Sequence, residues 1–156
     1  MNLDYFKPVD DILLVHAKMQ SNQTLGQSIE INTISQGFPE LSNKKIAIIG
    51  VKEGRASNGN HGTGEELGEI RKELYKLYPG NWPIEVADLG DIEQGSTIND
   101  TYFALGEILT YLIKNKIIPL IIGGGQDLTY ANYRAYDKLE QTVNLVSVDN
   151  KFNLGS

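Results

Sequence analysis

The chain has 156 residues, a length that predicts a single domain with a hydrophobic core of its own. Lys and Arg total 14 against 20 for Asp and Glu, and the formal net charge of −6 argues against nucleic-acid and anionic-membrane partners. Cysteine is absent, which excludes disulfides, thiolate metal sites and a cysteine nucleophile. Neither a membrane span nor a signal peptide is apparent in the sequence, so we expect a cytoplasmic protein.

The first 44 residues carry the weakest structural pattern. A helix is predicted over residues 9–18, and residues 21–40 are typical of an irregular wrap that precedes the first clear strand. We therefore divide the chain into an amino-terminal extension, 1–44, and an α/β domain, 45–156.

From residue 45 onward, short apolar runs alternate with helical patterns. Strands are predicted at 46–49, 84–87, 117–122 and 143–148. The run 117–122 is almost entirely apolar, which predicts a strand covered on both faces. Three helices with apolar residues three or four positions apart lie between the strands: Leu67, Ile70, Leu74 and Leu77 in the first, Tyr102, Leu105, Leu109, Leu112 and Ile113 in the second, and Leu128, Ala131, Ala135 and Leu139 in the third.

This alternation predicts a three-layer α/β/α fold with a mainly parallel sheet and right-handed crossovers. The last predicted strand lies close to Ser156, and folds normally cover an exposed sheet edge. We therefore expect either part of a larger α/β unit or a domain that buries an edge in a homo-oligomer.

Two predicted strand ends carry candidate functional residues, because ligands of such sheets bind at the carboxyl ends of strands. The first is the run Gly123-Gly124-Gly125 followed by Gln126 and Asp127. Asp127 is placed to cap the third helix. A plain strand-to-helix turn explains the glycines, and the competing phosphate cradle lacks a Walker lysine and a G-x-G-x-x-G pattern.

The second strand end follows Val148. If the backbone stays extended there, Asp149, Lys151 and Asn153 share one face, although a solvated strand end explains the same residues. The glycine-rich loop 54–64 adds Asn58 and His61. An exposed loop histidine is the ordinary interpretation of His61, and a ligand or proton-transfer role is the alternative.

These segments resemble the ureohydrolase family, which includes arginase, agmatinase and formimidoylglutamase. That family has a strand ending in Gly-Gly-x-His followed by Asp, Glu or Ser, and a later strand ending in Asp-Ala-His-x-Asp. The resemblance covers roughly residues 46–155 and also includes Gly50-Val51, Asn58 in the glycine-rich loop, Glu69-Ile70-Arg71 and Asp88-Leu89-Gly90-Asp91.

The resemblance implies a mechanism and shows where this chain departs from it. The family hydrolyses a guanidine or amidine C–N bond with a water that bridges two manganese ions. Asp149 matches the family's first aspartate, whereas Gln126, Lys151 and Asn153 replace two histidines and the second aspartate. An ammonium is repelled by nearby dications, and we expect the Lys151 ammonium to replace a metal, paired with Asp149 and hydrogen-bonded by Gln126 and Asn153.

Three functions follow from these departures. The first is a ureohydrolase-like domain that has lost dinuclear manganese catalysis, has no cofactor and acts as a binding or structural module for a small-molecule ligand. The second is an active metal-dependent hydrolase of a guanidine or formimidoyl substrate, as a fragment of a longer chain or with a metal site rebuilt from other residues. The third is a small-molecule or nucleotide-binding α/β module that uses the turn 123–125.

Overall fold

The computed structural model describes residues 1–81 and 85–149. Short 3₁₀ helices cover Leu3–Tyr5 and His61–Gly64. None of the helices in the described ranges combines the length and the hydropathy that a membrane crossing requires. In chain order the strands and α-helices are β1 (Phe6–Lys7), α1 (Asp11–Lys18), α2 (Leu25–Ser28), β2 (Glu30–Ile31), β3 (Ile46–Val51), α3 (Leu67–Lys76), β4 (Val86–Ile92), α4 (Ile98–Lys114), β5 (Ile118–Ile122) and α5 (Leu128–Lys138).

The five strands form one mainly parallel sheet, as predicted. Its order is β1-β4-β3-β5, with β3 parallel to both β4 and β5. Two short strands share the other edge of β4: β2 pairs with it in parallel and β1 in antiparallel orientation. The carboxyl ends of β3, β4 and β5 therefore lie at one rim of the sheet, where ligands of such folds bind.

Helices cover both faces of the sheet, which confirms the α/β architecture. The larger apolar cluster joins α4 and α5 to Ala47 and Ile49 of β3. A smaller cluster on α1 and α3 packs around Ile31 and Tyr75. The predicted stripes of α4 and α5 contain most of their buried positions, because Leu105, Leu109, Leu112, Leu128, Ala131 and Ala135 are all buried.

The face predicted for α3 is correct at Leu67 but wrong at Ile70 and Leu77. The helix buries Leu67, Arg71 and Tyr75, whereas Ile70 is 45% exposed and Leu77 is 58% exposed. The helix turns a charged side chain towards the sheet because β4 supplies two carboxylates that pair with it. Apolar spacing alone does not reveal such a pairing.

Two strand predictions also require correction. β5 is not covered on both faces, since Ile118 is 65% exposed and Leu120 is 43% exposed. Residues 143–148 are in no sheet, and Leu145, Val146 and Val148 are exposed. An apolar run becomes a strand only when another strand pairs with it, and no strand in the described ranges pairs with this one.

The amino-terminal residues pack against the same sheet. The helix predicted over 9–18 is present as α1, and β1 and β2 both pair with β4. The Asn32 side-chain amide donates to the Leu89 carbonyl at 2.8 Å, which ties the segment after β2 to β4. The division at residue 44 remains a prediction.

Candidate functional site at the carboxyl ends of the strands

The glycine turn after β5 is held by the loop after β3. The Gly124 amide donates to the Thr63 carbonyl at 3.1 Å, and the Gly125 amide donates to the Glu53 carbonyl at 2.8 Å. Gly123 and Gly124 have φ angles of 77° and 78°, a conformation that favours glycine. The backbone that leads into Gln126 is therefore fixed by two loop carbonyls.

Glu53 connects this turn to a third loop. Its carboxylate has no exposed surface and accepts from the Arg55 guanidinium at 2.6 and 3.0 Å and from the Thr101 hydroxyl at 2.8 Å. The Gly95 amide donates to the same Thr101 hydroxyl oxygen at 2.9 Å. One buried carboxylate thus joins the loops that follow β3 and β4 to the start of α4.

The hydrogen bonds from Arg55 hold the pKa of Glu53 at about 2, below its ordinary value of 4.5, although burial acts in the opposite direction. Because the pKa falls on folding, the stabilisation by Glu53 is complete well above pH 4.5 and is lost as the pH falls towards 2. We expect Glu53→Gln to lower the free energy of unfolding at neutral pH by about 1.5 kcal/mol, as measured by urea unfolding.

The control for this variant is Glu73→Gln, a change at an exposed side chain of α3 that pairs with Lys76. We expect it to change the free energy of unfolding by less than about 0.5 kcal/mol. The stability difference between Glu53→Gln and the unchanged protein should shrink as the pH falls from 4.5 to 2. A difference that stays constant over this interval would contradict the role of the Glu53 carboxylate.

Gln126 and Asp149 are brought together, although residues 143–148 before Asp149 form no strand. The Gln126 side-chain amide donates to the Asp149 carboxylate at 3.3 Å, and both residues are exposed at the rim. Lys151 and Asn153, the other two predicted positions, lie outside the described residues. The roles of all four residues remain predictions.

Asp127 lies at the amino end of α5 but makes no capping hydrogen bond with its side chain. Its carboxylate instead accepts from the Tyr102 hydroxyl at 2.6 Å, which ties α5 to α4. Burial and this hydrogen bond raise the pKa of Tyr102. The predicted cap is thus absent, and the Asp127 carboxylate instead forms a contact between α5 and α4.

The glycine-rich loop after β3 lies beside the turn, to which it is joined by the Thr63 carbonyl. Asn58 and His61 are both exposed. Ser57 lies close to the turn, since a Cβ added at Gly125 would lie 2.2 Å from its hydroxyl oxygen. Its hydroxyl also contacts that of Thr63 at 3.3 Å.

A buried ion-pair cluster of Arg71, Asp88 and Asp91 was not predicted from the sequence. Arg71 of α3 donates from Nε to Asp88 at 2.8 Å and from a terminal nitrogen to Asp91 at 2.6 Å. The Tyr75 hydroxyl donates to the same Asp88 carboxylate at 2.8 Å. Asp88 and Asp91 lie within β4 rather than after it, so the predicted strand end is part of the strand.

In this cluster the pKa values of Tyr75 and Arg71 are strongly raised. Burial raises the pKa of Tyr75, and the adjacent Asp88 carboxylate raises it further. Burial alone would lower the pKa of Arg71, but the carboxylates of Asp88 and Asp91 raise it above its ordinary value. The Arg71 guanidinium therefore stays charged, and its ion pairs with Asp88 and Asp91 fix α3 against β4.

The described residues do not by themselves form a two-metal centre. Gln126 and Asp149 offer one neutral amide and one carboxylate, whereas a pair of manganese ions is held by several carboxylates and imidazoles. In the described ranges no three or more His, Asp or Glu side chains cluster in a way that would hold a metal ion.

The turn, the parallel sheet and the rim together define an α/β domain of the arginase type. The arginase family matches residues 44–154, and the chain belongs to that family. Among curated relatives, the formimidoylglutamase of Geobacillus kaustophilus is 27% identical over 139 residues, which cover 83% of this chain and 43% of the relative. That of Streptococcus gordonii is 28% identical over 138 residues, covering 83% and 42%. The chain thus spans less than half the length of these relatives.

Solved structures agree on the fold and correct one prediction. Trypanosoma cruzi formiminoglutamase with Mn²⁺ at pH 6.0 superposes with a TM-score of 0.56 at 24% identity, covering 64% of this chain and 38% of that chain. A second structure of the same protein with Mn²⁺ gives a TM-score of 0.61 at 21% identity, covering 74% and 40%. Because these matched structures hold manganese, the expectation of no cofactor is wrong for this family.

Proposed function

We propose that this chain is an arginase-fold module that has lost amidine hydrolysis and binds a small polar ligand at the rim formed by Gln126 and Asp149. The observation that carries the proposal is the hydrogen bond of 3.3 Å from the Gln126 amide to the Asp149 carboxylate. The resemblance to ureohydrolases supports a metal-ligand position for Asp149, whose carboxylate here accepts a hydrogen bond from the neutral Gln126 amide.

The proposal concerns the hydrolytic step, and manganese remains the metal of the family. Hydrolysis by a bridging water needs two ions held at a fixed separation, and that needs more ligands than one carboxylate and one amide. Lys151 and Asn153 stand at two further ligand positions in the sequence, and an ammonium there opposes a second dication. A cytoplasmic location belongs to the same proposal, and cell fractionation tests it.

The second candidate is an active metal-dependent hydrolase, favoured by the manganese in the matched Trypanosoma cruzi structures. An assay of hydrolytic activity distinguishes this hydrolase from the binding module. The protein, supplied with MnCl₂, is incubated with formimidoylglutamate, arginine or agmatine, and released formamide, ammonia and urea are measured. We expect release equal to the buffer blank, with Geobacillus kaustophilus formimidoylglutamase as the positive control.

Turnover that Asp149→Asn abolishes would overturn the proposal and establish the hydrolase. Calorimetry with the same three compounds tests the binding function independently of turnover. Heat of binding that Asp149→Asn removes supports the module. Binding of a nucleotide that the same variant leaves intact would contradict it and favour the turn 123–125 as the ligand site.

A further inference from the structure

The tip of the glycine-rich loop after β3 is a tight turn with Asn58 and Gly59 at its centre. The Asn60 amide donates to the Ser57 carbonyl at 3.2 Å, which closes the turn. Gly59 has a φ angle of 75°, as the third residue of a type II turn requires, and a Cβ built there would meet nothing within 4 Å. Asn58 and Gly59 are both exposed, so the centre of the turn is open on the side of Gly59.

An asparagine that precedes glycine can react with its own backbone. The backbone nitrogen of the second residue attacks the side-chain amide carbon of the first, and any side chain on the second residue shields that nitrogen. Gly59 leaves its nitrogen unshielded and gives the chain the freedom that ring closure needs. Within the described residues, neither the Gly59 N–H nor the Asn58 side chain takes part in a hydrogen bond, so the attack breaks no contact of either group.

We propose that Asn58 is a site of spontaneous deamidation, with water as the co-reactant. The Gly59 nitrogen forms a bond to Cγ of Asn58 and loses its proton, while the bond from Cγ to Nδ2 breaks and ammonia leaves. The product is a succinimide ring. Water then cleaves either the new bond, which leaves an aspartate, or the original peptide bond, which leaves an isoaspartate whose side-chain carbon carries the chain onward.

Both products change the loop that holds the glycine turn after β5. Each replaces a neutral amide by a carboxylate and so adds one negative charge to a chain of formal net charge −6. Isoaspartate also inserts an extra backbone atom between Ser57 and Asn60, whose hydrogen bond closes the turn. Because the Thr63 carbonyl of the same loop accepts from the Gly124 amide, deamidation is a slow, one-way change in the support of the rim.

Mass spectrometry of the full chain, incubated at neutral pH and mapped as peptides, tests the proposal. We expect Asn58 to gain about one mass unit, as NH₂ becomes OH, and its peptide to accept a methyl group from isoaspartate methyltransferase. The rate should rise with pH, because the deprotonated Gly59 nitrogen is the nucleophile. Asn115 is also exposed but should keep its amide, because its Nδ2 donates to the Tyr111 carbonyl at 2.8 Å and a lysine follows it.

Gly59→Ala tests the role of the glycine, and Gly37→Ala is the matched control. Gly37 has a φ angle of 78°, and a Cβ built there also meets nothing within 4 Å, so both substitutions strain the backbone similarly. We expect Gly59→Ala to slow deamidation at Asn58 by about tenfold or more, and Gly37→Ala to leave its rate unchanged. A rate at Asn58 that Gly59→Ala does not lower would overturn the proposal. So would an intact Asn58 in the protein when a synthetic peptide of residues 54–64 deamidates under the same conditions.

Hydrogen exchange tests the effect of the modification on the rim. In the isoaspartate form the Gly124 amide should exchange faster with solvent than in the unmodified protein, because its acceptor lies in the altered loop. Asn58→Asp adds the same charge without the extra backbone atom and should leave this exchange nearly unchanged. Equal exchange of the Gly124 amide in the isoaspartate and unmodified forms would contradict a change in the support of the rim.

Discussion

Arg71→Met is expected to lower the free energy of unfolding by about 3–5 kcal/mol, because it leaves the buried Asp88 carboxylate without its cation and leaves Asp91 only the Lys52 ammonium at 3.7 Å. Arg71 is 1% exposed, Asp88 is completely buried and Asp91 is nearly so. Methionine fills a similar volume but supplies none of the N–H donors that Asp88 and Asp91 accept. Urea unfolding followed by circular dichroism measures the loss.

Two further variants test whether the loss of stability in Arg71→Met comes from the buried ion pairs. Lys76→Met makes the same kind of change at an exposed position of the same helix and should cost less than about 0.5 kcal/mol. The double variant Arg71→Met with Asp88→Asn should lose less than the sum of the single losses, by about 1–3 kcal/mol. Additive losses would show that Arg71 and Asp88 are not energetically coupled.

The fold could be predicted from local pattern wherever burial follows apolar spacing. The helix α4 is predicted because Leu105, Leu109 and Leu112 recur at helical intervals, and they are buried. β3 follows from a short β-branched run that ends at Gly50. β4, in contrast, continues to Ile92, five residues beyond the predicted end at Ala87. These elements need no information from distant residues.

Burial could not be predicted from the sequence where a polar side chain is buried only because residues far along the chain form hydrogen bonds with it. Arg71 is buried because Asp88, seventeen positions later, accepts its N–H groups. Glu53 is buried in a loop because Arg55 and Thr101 satisfy its oxygens. The signal that could have found the Arg71 cluster is present in β4, where Asp88 and Asp91 interrupt an otherwise apolar strand.

The candidate site stays a prediction, and of its four residues only Gln126 and Asp149 lie in the described part of the chain. Gln126 and Asp149 follow two predicted strand ends, and their side chains lie within hydrogen-bonding distance. Residues 143–148 have the local pattern of a strand without a partner strand, because pairing is a property of the whole sheet. The support of the turn by Glu53 and Thr63 is equally non-local.

Gly124→Ala is expected to destabilise the protein by about 3 kcal/mol, the largest effect we expect at the rim. The φ angle of Gly124 is 78°, which an L-residue adopts only with strain. A Cβ built there would lie 2.1 Å from Cδ1 of Leu128 and 3.2 Å from the Glu53 carbonyl oxygen. The side chain of Leu128 can yield, but the carbonyl is fixed by the Gly125 amide.

The control is Gly106→Ala, which lies in α4 where an added Cβ meets nothing within 4 Å. Alanine favours helix over glycine, so this change should stabilise the protein by about 1 kcal/mol. Urea unfolding measures the change in the free energy of unfolding for both variants. If Gly124→Ala destabilises the protein while Gly106→Ala stabilises it, the local conformation of Gly124, and not the glycine-to-alanine change itself, is the cause. In Gly124→Ala the Gln126–Asp149 hydrogen bond should also weaken, seen as faster exchange of the Gln126 side-chain amide protons. A Gly124→Ala protein as stable as the original would show that the turn does not require glycine.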